Sequence, residues 1–250
     1  MRPEIARQAA TVRERLKAAV DPKFREGQFA FFKEEVDTYG VRKPALSGII
    51  RDLFHTIRDW PPEARDELYR ELWRSGKLEE GAIVCHVARR FPREFGGRRF
   101  PIFEEWIDKY VHNWAHCDAV ASWLLAGCIA EEPALMKKLE PWTRSENRWK
   151  RRAAAVALLQ EAKAGRATNQ ILRIASMLAE DPDVMVQKGV GWLLKEAYPA
   201  QPVDIVMFLH WQRDRFSRLT LRYAAEKMTD THRRMLLRPS SITKPTAVRA

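Results

Sequence analysis

The sequence predicts an all-α fold, an α-solenoid of helical-hairpin repeats, and three observations predict it. Strand signals are nearly absent: there are no long alternating β-branched runs and no Asn-Gly or Asp-Gly hairpin turns. Amphipathic helical patterns recur along the whole chain, separated by short Pro, Gly or Asp punctuation. Three segments also align without gaps: Asp118-Ala-Val-Ala-Ser-Trp-Leu-Leu-Ala, Arg152-Ala-Ala-Ala-Val-Ala-Leu-Leu-Gln and Gln187-Lys-Gly-Val-Gly-Trp-Leu-Leu-Lys. They begin at positions 118, 152 and 187, spacings of 34 and 35 residues. That is the length of one helical hairpin, which buries its apolar side against its neighbours in a stack.

Helices are expected at 3–19, 24–37, 44–58, 62–75, 79–91 and 100–111, then at 114–130, 146–164, 169–179, 182–197, 203–210 and 215–227. Pro3, Pro44, Pro62 and Pro182 open four of them, since proline at the first helical position forfeits no hydrogen bond. Asp181-Pro182 reads as an N-cap followed by that proline, Ser145 as the N-cap of the helix after it, and Gly165 as a stop. A single domain over 1–238 is expected, with 239–250 a flexible basic tail.

Composition narrows the partner. Lysine and arginine number 44 against 33 acidic residues, a net charge of +11, which favours nucleic acid over an anionic membrane surface. Cys85, Cys117 and Cys128 are odd in number and form no CxxC pair, so they read as reduced thiols of a cytoplasmic protein. The first residues are charged and lack an apolar signal region, and the longest apolar run, 119–130, is too short for a bilayer. No membrane association is expected.

Within this basic chain Trp114 and Asp118 stand one helical turn apart on one helix face. A carboxylate facing a polyanion is misplaced unless it serves chemistry or packs elsewhere. By the repeat, Asp118 and Arg152 occupy equivalent positions in successive hairpins. Arg148, Lys150, Arg151 and Arg152 crowd the first two turns of their helix, where each exposed cation costs about 0.3–1 kcal/mol against the dipole. A docked phosphate would relieve that cost; a solvated charged face screened by salt is the plain alternative. Gly189 and Gly191 flank Val190 just before Trp192, a pattern of close approach by a neighbouring helix or a ligand. His112 and His116 have zinc-ligand spacing, but no HExxH pattern or nearby Cys-His set completes a site, so no metal or other cofactor is expected. The GxxxxGK[ST], GxSxG and GxGxxG signatures are absent.

Four segments together resemble the bacterial AlkD-type DNA alkylation repair family of HEAT-like-repeat DNA glycosylases: Tyr39-Gly-Val-Arg-Lys-Pro44, Asn113-Trp-Ala-His-Cys-Asp118, Ser145-Glu-Asn-Arg-Trp-Lys-Arg-Arg-Ala153 and Gln187-Lys-Gly-Val-Gly-Trp-Leu-Leu-Lys-Glu196. The resemblance spans about residues 29–227. It implies a HEAT-like solenoid, curved with a basic concave face, and a monomer acting on double-stranded DNA with alkylated purines. It implies that Asp118 is the catalytic carboxylate, that Trp114 and Trp192 wall the lesion and its sugar, and that Arg152 holds the DNA backbone, with Arg148, Lys150, Arg151 and Lys188 as further DNA contacts. Phe31 falls where the family carries a lesion-facing tyrosine, and Asn113-Trp114-Ala115 replaces the frequent Trp-Trp-Asp. The implied reaction is hydrolysis of the N-glycosidic bond of cationic N3- or N7-alkylpurines. The alternatives are a non-catalytic module that binds DNA or RNA by shape and charge, or a protein-binding scaffold.

Overall fold

In a computed structural model, which describes residues 2–32 and 34–238, the chain is all-helical. The only extended pairing among the described residues is one antiparallel bridge, Val20 to Val41. The expected tail, 239–250, lies outside the described residues. Two compact units divide at Leu158 and Leu159.

The first unit contains α1 (Pro3–Ala18), α2 (Pro22–Phe32), α3 (Lys43–Ile57), α4 (Pro62–Trp73), α5 (Leu78–Ala88), α6 (Phe100–Lys109), α7 (Trp114–Ala119), α8 (Ala126–Glu131), α9 (Leu139–Trp142) and α10 (Arg148–Val156). Pro3, Pro44, Pro62 and Pro101 sit in the first turns of α1, α3, α4 and α6, where no intrahelical bond is lost. Helical spacing puts Ile5, Val12 and Leu16 of α1, Leu68 and Leu72 of α4, and Phe103, Trp106 and Ile107 of α6 in the core. By contrast α2 buries only Phe32. It is tied down by that ring and by Gln28, whose side-chain oxygen accepts from the Thr38 hydroxyl at 2.7 Å.

The second unit contains α11 (Leu159–Lys163), α12 (Thr168–Met177), α13 (Val184–Ala197), α14 (Pro202–Trp211), α15 (Arg218–Ala224) and α16 (Asp230–Leu237). Its core is built from Ile171, Ile174, Val186, Val190, Leu193, Leu194, Ile205, Leu209 and Leu221. Gly165 takes φ +68°, the left-handed conformation that ends α11.

Several expectations are corrected. The helices expected to start after Ser145 and Asp181 are capped two residues later, by Asn147 and Asp183. In both places the earlier residue bonds the cap instead: Ser145 Oγ accepts from Asn147 N (3.2 Å) and Asp181 Oδ1 from Asp183 N (2.9 Å). Each is a local turn that competes with helix initiation. The single helix expected over 146–164 is broken into α10 and α11, and 114–130 contains a π segment, Val120–Leu125. All three cysteines are buried. Among the described residues no helix is long and apolar enough to cross a membrane.

Candidate active site

The geometry around Trp114 begins with its neighbour. Asn113 takes an extended conformation, and its side-chain oxygen accepts from His116 N at 2.9 Å, so α7 starts at Trp114. His116 is fully enclosed and both ring nitrogens are used. Leu78 O can only accept, so the Nε2–H donates to it (2.9 Å), and Nδ1 then accepts from the Asn113 side-chain amide (3.1 Å). Burial pushes the imidazole down to about 4, which keeps it neutral. This histidine is a peg that fixes the start of α7, with neither nitrogen available to a metal.

Trp114 is half-buried and presses against the aromatic end of α2. Phe32 stacks on it, ring centroids 5.1 Å apart at 26°, and Phe31 meets it edge-on at 5.7 Å. One face of the indole is therefore already covered. Phe31 is 66% exposed and also lines an apolar cleft of about 710 Å³ with Phe24, Leu46 and Ala115. Phe31 is thus an exposed ring on a cleft, beside Trp114.

One turn along, Asp118 faces Arg152, a pairing that the 34-residue spacing alone does not imply. Arg152 Nε donates to Oδ1 and Nη2 to Oδ2, both at 2.8 Å. Such two-pronged pairing is a specific fit of guanidinium to carboxylate. The side chains are 6% and 17% exposed. Burial pushes the Asp118 carboxyl above its ordinary value, and the guanidinium opposes this without cancelling it. Beyond Asp118 the backbone widens into the π segment, and Ser122 Oγ donates to Asp118 O at 2.7 Å. Single π turns recur at functional sites.

The other basic residues of α10 are also engaged within the first unit. Arg148 pairs with Glu34 at 3.0 Å and lies over the Trp149 ring. Lys150 bridges Glu104 (2.9 Å) and Asp108 (2.7 Å) on α6. Arg151 donates to the carbonyls of Ser145 and Glu146. The cations that crowd this helix start are offset by local carbonyls and by carboxylates far apart in sequence, the latter not revealed by spacing rules.

In the second unit, Trp192 and Lys188 lie one turn apart on α13, both partly exposed. One turn further along, the Glu196 carboxylate is held by Lys227 Nζ at 2.6 Å. Among the described residues Lys188 has no ion-pair partner. Gly191 is required by packing: a Cβ there would meet Tyr223 Cβ at 2.5 Å and Thr220 O at 2.9 Å. The close approach inferred from the glycine pair is, at Gly191, that of α15.

The family model described as DNA alkylation repair enzyme matches residues 12–228. The fold is similar to that of a solved structure described as a predicted DNA alkylation repair enzyme from Enterococcus faecalis. That match has a TM-score of 0.76 at 16% sequence identity and covers 84% of this chain and 97% of that one. No curated protein matches the chain.

Proposed function

Since the chain belongs to the DNA alkylation repair enzyme family, we propose that it is a monofunctional DNA glycosylase of the AlkD type, hydrolysing the N-glycosidic bond of cationic N3- or N7-alkylpurines in double-stranded DNA. The observation that carries this reading is Asp118: a carboxylate held almost out of solvent, in a fixed direction, by a guanidinium.

The chemistry asks for little else. A base alkylated at N3 or N7 is a cation and departs neutral, so no general acid is required. Departure leaves positive charge on the deoxyribose, and an anion placed beforehand lowers the energy of that state more than that of the bound substrate. Asp118 supplies the anion and orients the attacking water. Arg152 opposes the push of burial toward the protonated carboxyl, and its two hydrogen bonds leave acceptor sites on both oxygens, since a carboxylate has about four. In this reading Arg152 is first a positioning residue for Asp118, and holding the DNA backbone is its second role. Trp114 offers its uncovered face to the cationic base or sugar, an interaction worth about 0.5–2 kcal/mol depending on desolvation. Trp192 is proposed as a second aromatic wall beside the lesion and its sugar, Lys188, Arg148, Lys150 and Arg151 are proposed DNA contacts, Phe31 is proposed to face the lesion, and the protein is proposed to act as a monomer.

The test is base release. Duplex DNA carrying 7-methylguanine, incubated with the protein without added metal, is expected to yield free 7-methylguanine and abasic sites. Tight duplex binding with no release of base would replace this reading with that of a non-catalytic binding module.

A further inference from the structure

Most arginines in the core of the first unit face carboxylates: Arg13 faces Glu71 and Glu80, Arg65 faces Glu94, and Arg99 faces Asp66. Lys43, Arg89 and Arg90 are among the cations of the same unit that do not. Lys43 opens α3, and Arg89 and Arg90 follow the end of α5; among the described residues none has an ion-pair partner. Aromatic rings hold the two arginines instead. The Arg89 guanidinium lies 4.7 Å from the Trp123 ring centroid, and that of Arg90 lies 5.0 Å from the Phe54 centroid. A guanidinium lying on a ring keeps its N–H groups directed outward from its edge.

His86 sits one turn before these arginines on α5, its ring 4.7 Å from Trp123 at 59°. The charged groups facing it are Arg89 and Arg90 from α5 and Lys43 from α3; Trp123, from the π segment, is neutral. Burial and then these three cations hold the imidazole below its ordinary value. The dipole of α5 accounts for Arg89 and Arg90 at its C-terminal end, but Lys43 stands at the N-terminal end of α3, where a cation is disfavoured. These three cations are exposed and converge on one half-buried imidazole, and an anion supplied from outside would offset their mutual repulsion.

We propose that Lys43, His86, Arg89, Arg90 and Trp123 form a second phosphate-binding patch for the DNA backbone, and that His86 takes up a proton as the phosphate docks. The inference rests on DNA being the partner, and it is independent of the chemistry at Asp118. A phosphate beside His86 offsets the repulsion of the three cations and stabilises the imidazolium, so the pKa of His86 is higher in the complex than in the free protein. Affinity then rises as pH falls through the pKa of the complex, tenfold for each unit of difference.

The test uses the full chain and an undamaged duplex. The ring Cε1–H resonance of His86 is followed from about pH 8 to about pH 5, with and without duplex at fixed salt. The expected result is a rise of at least about one unit on binding, matched by a tenfold gain in affinity toward acid that His86→Gln removes. The Arg89→Ala/Arg90→Ala protein, altered at two exposed positions, is expected to show a log K against log salt slope shallower by about 2. A His86 titration unmoved by duplex, or an unchanged salt slope, overturns the proposal. Release of 7-methylguanine in that case would leave the glycosylase reading standing, so the two failures are distinguishable.

Discussion

Replacing Arg152 with alanine removes both hydrogen bonds from a carboxylate whose side chain is only 17% exposed. Breaking a buried ion pair on one side costs about 3–5 kcal/mol, because the remaining charge stays buried. For a chain of this size that lowers Tm by about 6–20 °C. The sign of the pH dependence follows from Asp118, whose carboxyl is already raised above its free value by burial. A carboxyl raised in the folded state contributes stability that is present below the free pKa and lost as pH rises through the folded one. Without the guanidinium the folded pKa rises further, so the variant's deficit is largest at neutral pH and shrinks in acid. Thermal unfolding of both proteins at neutral and mildly acidic pH measures this, and the pH profile of base release supplies a second readout. In the proposed reaction the carboxylate acts in its ionised form, so the ascending limb of that profile should move to higher pH in the variant. A deficit that does not change with pH, together with an unmoved limb, would refute the view that Arg152 acts through Asp118.

Other expectations are simpler. His116 is neutral in the fold down to about pH 4, so an unfolded histidine takes up its proton first as pH falls from about 6.5, and stability on the order of 3 kcal/mol is lost by about pH 4; urea unfolding across that range should show the loss, and His116→Gln should flatten it. Gly81→Ala would place a Cβ 2.4 Å from the Trp73 ring and 2.5 Å from His116 Nε2, an overpacking expected to cost about 1–3 kcal/mol in denaturant unfolding. Phe31→Tyr adds a hydroxyl to a ring that is 66% exposed. Stability should stay within about 0.5 kcal/mol while single-turnover excision changes; an unchanged rate would remove Phe31 from the lesion.

The fold was largely legible, because apolar periodicity and proline placement act locally. The 34-residue repeat puts Asp118 and Arg152 at equivalent positions of successive hairpins. Their bond was harder to foresee: equivalence in successive hairpins says that two positions adjoin, not that their side chains point at each other. The protein partners of the α10 charge run were likewise not legible. Glu34 stands 114 residues from Arg148, and Asp108 stands 42 from Lys150, separations that no helical rule connects. Cap positions slipped by two residues where Ser145 and Asp181 bond their own downstream backbone. The π segment left no trace in Val-Ala-Ser-Trp-Leu-Leu, which lacks proline and glycine. The patch around His86 was missed because its arginines are held by Trp123 and Phe54, rings contributed by other elements.

The central claim is that the Asp118 carboxylate drives base loss, and single-turnover excision by Asp118→Asn tests it most directly. The amide keeps the size of the side chain and removes the charge. The account predicts that release of 7-methylguanine from duplex DNA is abolished while duplex binding is largely retained. Release at the wild-type rate by that variant would contradict it.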